Sequence, residues 1–205
     1  MVVSERAIEE KFGDCYSADE RAFIMGIDQR FTAHFAERFS GLTVLETCSG
    51  AGFTTLSLAR VAKHVFTVEV DAAIQMRARA NIEKAGLSHK VTFLSGDVLA
   101  PETLLGLPTV DAAFLDPDWA VTGPEHIFRF RQSNTQPPAD TLLERIFEIT
   151  ENVAMALPPL VDVAEFKGLS SHERERLFLS GSHELFCLYF GSLAKVYAES
   201  AFHVG

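Results

Sequence analysis

From Thr43 onward the chain alternates short β-like runs with amphipathic segments: TVLE, FTTLSLARVAK, HVFTVEV, DAAIQMRARANIEKAG, KVTFLS and VDAAFL follow one another. Strands separated by helix-length segments are joined by crossovers rather than tight turns, which implies a parallel sheet covered by helices on both faces. Gly86 stands where the second of these helices must stop. Further on, a helix is expected near Thr141 to Thr150, then a buried strand in NVAMALPPLV and a short helix. RLFLSG and ELFCLYFG, around a Ser-Gly-Ser turn, read as a hairpin. The expected class is therefore α/β, a mostly parallel sheet that ends in an antiparallel hairpin.

A chain of 205 residues suits one domain with a sizeable core. Residues 1–40 read as a helical extension, because Ala22, Phe23, Ile27, Phe31, Phe35 and Phe39 recur at helix-like intervals between Ala18 and Phe39. Residues 41–205 are the expected core. Phe23, Phe31 and Phe35 are assigned to packing, since their spacing alone accounts for them. A net charge of −10 argues against holding nucleic acid by bulk attraction, but leaves room for a local basic patch. Cys15, Cys48 and Cys187 lie far apart and form no C-x-x-C pair, and the seven histidines show no H-x-x-x-H spacing, so neither a disulfide framework nor a metal site is expected. The N-terminus has no basic start followed by an apolar run, and no stretch of 18 apolar residues occurs, so the expectation is a soluble cytoplasmic protein with no membrane segment.

Chemistry enters at the strand ends. ETCSGAGFTTLSLAR places Gly50 and Gly52 in a strand-to-helix turn, where glycine lets the backbone approach a ligand and aims a helix N-terminus at it. Position 55 is Thr, so the G-x-G-x-x-G of nicotinamide cofactors is incomplete, and Glu46 stands before the turn instead. Glu69 ends the second strand 19 residues after Gly50, about where an acid reaches the two ribose hydroxyls of an adenosine cofactor. Asp97, in SGDVL, follows the third strand and suits an adenine amino group. The plainer alternative is a turn capped by glycines beside solvated acids. Three acids at successive strand ends favour the ligand reading.

These residues resemble the class I S-adenosylmethionine-dependent methyltransferases, matched by ETCSGAG, VEVD, SGDVL and LDPDW across Leu42 to Trp119. Within that superfamily the chain is most similar to the RNA cap guanine-N2 methyltransferases of the trimethylguanosine synthase type, which carry Pro-Pro-Trp followed by Gly-Pro-acid; here that is DPDWAVTGPEH. The resemblance implies a Rossmann-like methyltransferase fold with a seven-stranded sheet. It puts Glu46, Gly50 and Gly52 beside the methionine moiety of S-adenosylmethionine, Glu69 on the ribose and Asp97 on the adenine, with Cys48, Val70 and Val98 also among the cofactor-binding residues. Asp116, at the cofactor and substrate alike, would join Pro117 and Trp119 as the catalytic pocket for a base. An RNA or nucleotide substrate follows from it. Two departures stand out: Cys48 replaces a turn glycine, and Asp118 replaces the second proline.

An exocyclic amino group donates its lone pair into its ring and is a poor nucleophile. A carboxylate such as Asp116 and the carbonyl of Pro117, both accepting from that NH2, return electron density to nitrogen. The indole of Trp119 offers a face on which a base can stack. Its alternative is a core aromatic shielding the strand end, and that of Asp116 is a turn cap. Ring-carbon methylation wants a cysteine nucleophile, and none lies in residues 116–119. Metal-dependent oxygen methylation wants clustered carboxylates, for which Asp116 with Asp118 is thin. Asp118 itself is read as a solvated loop acid, as a change of pocket preference, or as the mark of lost turnover. The competing functions are a small-molecule or protein methyltransferase and a cofactor-binding module without turnover. HIFRFRQ, which interleaves aromatic and basic residues, reads either as a nucleic-acid contact strip or as a strand-like or helical lid with two surface arginines; SSHERERL is most simply a charged, solvent-facing segment leading into a strand, with phosphate contact as the alternative.

Overall fold

The computed structural model describes residues 3–119 and 128–205. The chain divides into two compact units, Met1–Val110 and Asp111–Gly205.

The first unit begins with three short helices, α1 (Glu5–Phe12), α2 (Glu20–Met25) and α3 (Gln29–Ala36). The continuous helical spacing of Ala18 to Phe39 is thus broken at Gly26–Asp28. The reason is tertiary: a Cβ at Gly26 would lie 2.5 Å from the Phe53 ring, so the backbone passes where no helix side chain fits. Asp28 then restarts the helix by accepting a hydrogen bond from the Arg30 N–H at 2.9 Å. Phe31, Phe35 and Phe39 are buried, as their spacing requires.

Next come β1 (Thr43–Thr47), α4 (Phe53–Val61), β2 (His64–Glu69), α5 (Ala72–Lys84) and β3 (Val91–Ser95). The three strands are parallel in the order β3-β2-β1, with Thr47 opposite Val68 and Glu69 opposite Ser95. This register brings the carboxyl ends of all three strands level, the edge at which open α/β sheets bind ligands. Helix α5 ends as expected at Gly86, which takes φ 71° while the Leu87 N–H reaches back to the Ile82 carbonyl at 3.0 Å.

The second unit contains β4 (Ala112–Leu115), α6 (Ala139–Phe147), β5 (Val153–Leu157), β6 (His172–Leu179), β7 (Ser182–Phe190) and β8 (Glu199–Val204), with strand order β4-β5-β7-β6-β8. β4 and β5 are parallel and buried along their whole lengths, which explains their unbroken apolar runs. β7 is antiparallel to both β5 and β6. Ser180 and Gly181, at φ 49° and 84°, form the two-residue turn of the β6–β7 hairpin. The expected mostly parallel strands ending in a hairpin are present, and among the described residues the strands number eight rather than seven, because β8 adds to β6 in parallel. Its sequence, ESAFHV, sets Phe202 and Val204 apart among polar and small residues and carries no apolar run to announce an edge strand.

SSHERERL is mostly strand β6, and its acids point inward. Glu173 and Glu175 are buried; Glu175 accepts from the Tyr189 hydroxyl at 2.8 Å, and Glu173 accepts from the Lys195 N–H and the Ser200 hydroxyl, each at 2.7 Å. Burial of these carboxylates is matched by hydrogen bonds, as it must be. Among the described residues no helix is long and apolar enough to cross a membrane.

Candidate active site

The turn that joins β1 to α4 has three left-handed residues, Cys48 at φ 60°, Gly50 at 52° and Gly52 at 83°. Cys48 is a rare non-glycine in that region and holds backbone strain on the order of 1 to 2 kcal/mol. The two glycines serve different ends. A Cβ at Gly52 would press on Ala78 of α5 at 3.1 Å, so Gly52 allows helix packing; a Cβ at Gly50 would meet nothing within 4 Å, so the backbone there faces open space. Gly52 caps α4 without a side chain, which leaves the first N–H groups of the helix to other acceptors.

Glu69, buried at the end of β2, is tied to this turn. One carboxylate oxygen accepts from the Gly50 N–H at 2.9 Å and the other from the Asp71 N–H at 3.0 Å. Each oxygen keeps a second acceptor direction, which two hydroxyl donors can use. Glu46 lies deeper, at 1% exposure. Its Oε2 accepts from the hydroxyls of Thr55 at 2.6 Å and Thr67 at 2.7 Å. Burial pushes the Glu46 carboxyl up to about 7, against the two threonine bonds that favour its anion and with the Glu69 charge adding to the rise. Its Oε1, the Thr47 hydroxyl and the Ser49 hydroxyl are buried without hydrogen-bond partners. Three such orphan atoms in four consecutive residues are what a polar ligand or ordered water would complete.

Val70, directly after Glu69, is 70% exposed, an apolar side chain with no core to cover it. Asp97 is exposed beyond β3 and closes a small turn by accepting from the Leu99 N–H at 2.9 Å, while Val98 is buried. The first unit thus gathers Glu46, Cys48, Gly50, Gly52 and Glu69 around one turn, with Val70, Asp97 and Val98 at the ends of the neighbouring strands.

Asn81 of α5 belongs with them and is not visible in any motif. Its buried amide donates to the Ala51 carbonyl at 2.9 Å and the Ser17 carbonyl at 3.1 Å, and accepts from the Ser17 N–H at 2.7 Å. It therefore clamps the glycine turn to the N-terminal extension. Arg77 and Lys84, on the same side of the helix, ion-pair with Asp19 and Asp14 at 2.6 and 3.1 Å. Phe12 of α1 also stacks on Phe53, the first residue of α4, at 3.5 Å between centroids. The helical extension is thus fastened to the turn itself. A polar residue in an otherwise packed helix stripe was the one available signal.

In the second unit, buried β4 delivers Asp116, half-buried, then buried Pro117, half-buried Asp118 and half-buried Trp119. Trp119 meets Phe128 edge to face at 6.0 Å. Asp118 is held through its backbone: its N–H donates to the Gln136 carbonyl and its carbonyl accepts from the Gln136 N–H, both at 2.8 Å. A proline at position 118 has no N–H to donate, so the departure from Pro-Pro-Trp goes with a bridge that proline would halve. The Gly-Pro-acid segment Gly123 to Glu125, and His126 and Ile127 of HIFRFRQ, lie outside the described residues. In the rest of that stretch Phe128 and Phe130 are buried, Arg129 is exposed, and the exposed Arg131 guanidinium donates to the Glu165 and Lys167 carbonyls at 3.1 and 3.0 Å. Among the described residues no group of three His, Cys, Asp or Glu side chains forms a metal site.

A family profile described as RNA cap guanine-N2 methyltransferase matches residues 42–185. The crystal structure of a Porphyromonas gingivalis protein assigned as a methyltransferase superposes with a TM-score of 0.75 at 15% identity, covering 91% of this chain and 47% of that one; the chain spans about half its length. An rRNA methylase from Streptococcus thermophilus superposes at 0.55 and 13% identity, over 78% of this chain and 93% of that one. A Streptococcus mutans protein assigned as a methyltransferase, in complex with SAH, gives 0.53 at 14% identity, over 79% and 97%. At these identities the likeness establishes the fold, which is α/β and Rossmann-like, of the methyltransferase type.

Proposed function

The chain belongs to the family described as RNA cap guanine-N2 methyltransferase, and from that premise we propose that it uses S-adenosylmethionine to methylate an exocyclic amino group of a nucleobase, guanine in RNA. The observation that carries the reading is the glycine turn, where the Glu69 carboxylate bonds the Gly50 N–H while Glu46, Thr47 and Ser49 each keep a buried polar atom without a partner. That donor and acceptor set fits the cofactor. The SAH complex of the similar Streptococcus mutans protein supports the same choice.

In this reading Glu69 accepts the ribose hydroxyls, Asp97 accepts from the adenine amino group, and Val70 and Val98 line the adenine. Glu46, Cys48, Gly50 and Gly52 border the methionine end. S-adenosylmethionine, when bound, supplies a methyl group already activated by its sulfonium. What the protein adds is placement and electrostatics. Asp116 and the Pro117 carbonyl accept hydrogen bonds from the substrate NH2 and raise electron density on its nitrogen, and Trp119 stacks the base.

The test is tritiated methyl transfer from S-adenosylmethionine to fractionated cellular RNA and small molecules, followed by nucleoside analysis. Label in N2-methylguanine supports the reading. Label that survives ribonuclease and appears in metabolites or protein overturns the substrate; tight SAH binding with no label in any pool reduces the chain to a binding module.

A further inference from the structure

We propose that one face of the β6–β8 strands is a seat for single-stranded RNA, with Arg174 and Arg176 holding a phosphate and the Phe178–His203 stack carrying a base. The inference rests on the methyltransferase reading for its substrate class and adds to it a docking surface. With a net charge of −10 the chain needs such a local patch if it is to hold RNA at all.

The alternation of β6 sets the face. Glu173, Glu175 and Leu177 turn into the core, so Arg174, Arg176 and Phe178 line the opposite side and remain partly exposed. Arg174 lies opposite Glu199 of β8, and Phe178 opposite His203. Both guanidinium groups converge on one oxygen of Glu199: the Nη2 of Arg176 at 3.1 Å, and the Nη2 of Arg174 in a closer contact. Two forked cations around a single oxyanion is the geometry by which arginines grip phosphate. The pair is under-compensated, with two charges on one carboxylate and both Nε–H groups buried without partners. Burial and then the like charge of Arg176 both weigh against the Arg174 cation, so a further anion beside the pair is favourable.

Aromatic rings continue the strip. Phe178 and His203 are parallel at 4.6 Å between centroids and 8° between planes, with His203 outermost and exposed; His183 lies 5.2 Å from the Phe178 ring. Arg176 also sits over Phe186 at 5.9 Å. Cationic forks beside an exposed ring stack are the combination that tracks a single strand, phosphate on one and base on the other. Glu199, 49% exposed on the edge strand, is the internal anion that RNA would displace.

The experiment is fluorescence anisotropy of a labelled, short, mixed-sequence single-stranded RNA against the full chain, with SAH binding measured in parallel. The wild type is expected to bind, with affinity falling as salt rises. Arg174→Gln with Arg176→Gln should weaken binding about tenfold while leaving SAH affinity unchanged, and His203→Ala should weaken it about fivefold or more. Glu199→Gln, which removes the competing charge but keeps the side chain's shape, should tighten binding severalfold, an effect that mere loosening of β8 would not produce. The seat is refuted if Glu199→Gln leaves affinity unchanged or lowers it, or if inorganic phosphate or an acidic peptide displaces the RNA at equal concentration. Loss of methyl transfer with intact RNA binding would count against the enzymatic reading alone.

Discussion

In the first unit the acids around the glycine turn are held by side-chain bonds from residues distant in sequence: Glu46 by Thr55 and Thr67, Glu69 by the Gly50 N–H, and the turn itself by Asn81. In the second unit the strand end bearing Asp116 and Trp119 is tied down by a backbone bridge, the reciprocal bonds between Asp118 and Gln136, with the Trp119 ring edge to face on Phe128. Side-chain wiring makes every residue type matter, because each substitution strands a buried partner. A backbone bond survives any substitution that keeps the N–H, and at position 118 Asp, which has one, stands in place of the second proline, which has none.

The largest effect expected on the wired side is at Glu46. Its folded carboxyl titrates near 7, above its ordinary value of 4.5, so the folded chain retains a proton that the unfolded chain has released between those two values. The stabilising contribution is therefore complete below about pH 4.5, falls as pH rises and is gone above about 7, a change on the order of 3 kcal/mol. Urea unfolding of the cofactor-free chain from pH 5 to 8 should show that decline, and Glu46→Gln should remove it; parallel curves for the two chains would contradict the burial argument. Asn81→Ala comes next. It strands the Ala51 carbonyl and both backbone groups of Ser17, costing about 2 kcal/mol, and should weaken SAH binding as well as lower Tm. If Tm falls but SAH affinity holds, Asn81 fastens the extension without positioning the turn.

On the backbone-wired side the effects are smaller. Asp118→Pro removes one bridge bond and should cost about 1 kcal/mol, whereas Asp118→Ala keeps both and should unfold at a higher denaturant concentration than Asp118→Pro. Equal losses in the two variants would show that the carboxylate, not the N–H, does the holding.

The same contrast explains what could be read in advance. The β-α alternation from Thr43 to Leu115 was legible because burial on both faces makes the strands continuous and the helices periodic. The glycine-turn residues were legible as types at strand ends. Three things were not. The break at Gly26 comes from the Phe53 ring, 27 positions away. Asn81 works through main-chain atoms of residues 17 and 51. The inward turn of Glu173 and Glu175 depends on partners, among them Tyr189 and Ser200, that no local pattern names. In each case the deciding contact is long-range and polar or steric, where periodicity carries no information.

The most direct test pairs Asp116→Ala with the wild type in one preparation, measuring SAH affinity and methyl incorporation into RNA together. The account predicts SAH binding that is retained, lowered at most a fewfold, and a loss of transfer of about a hundredfold or more, since one acceptor bond to the reacting nitrogen is removed while the Glu69 and Glu46 network stands. Undiminished transfer by the Asp116→Ala chain would contradict it.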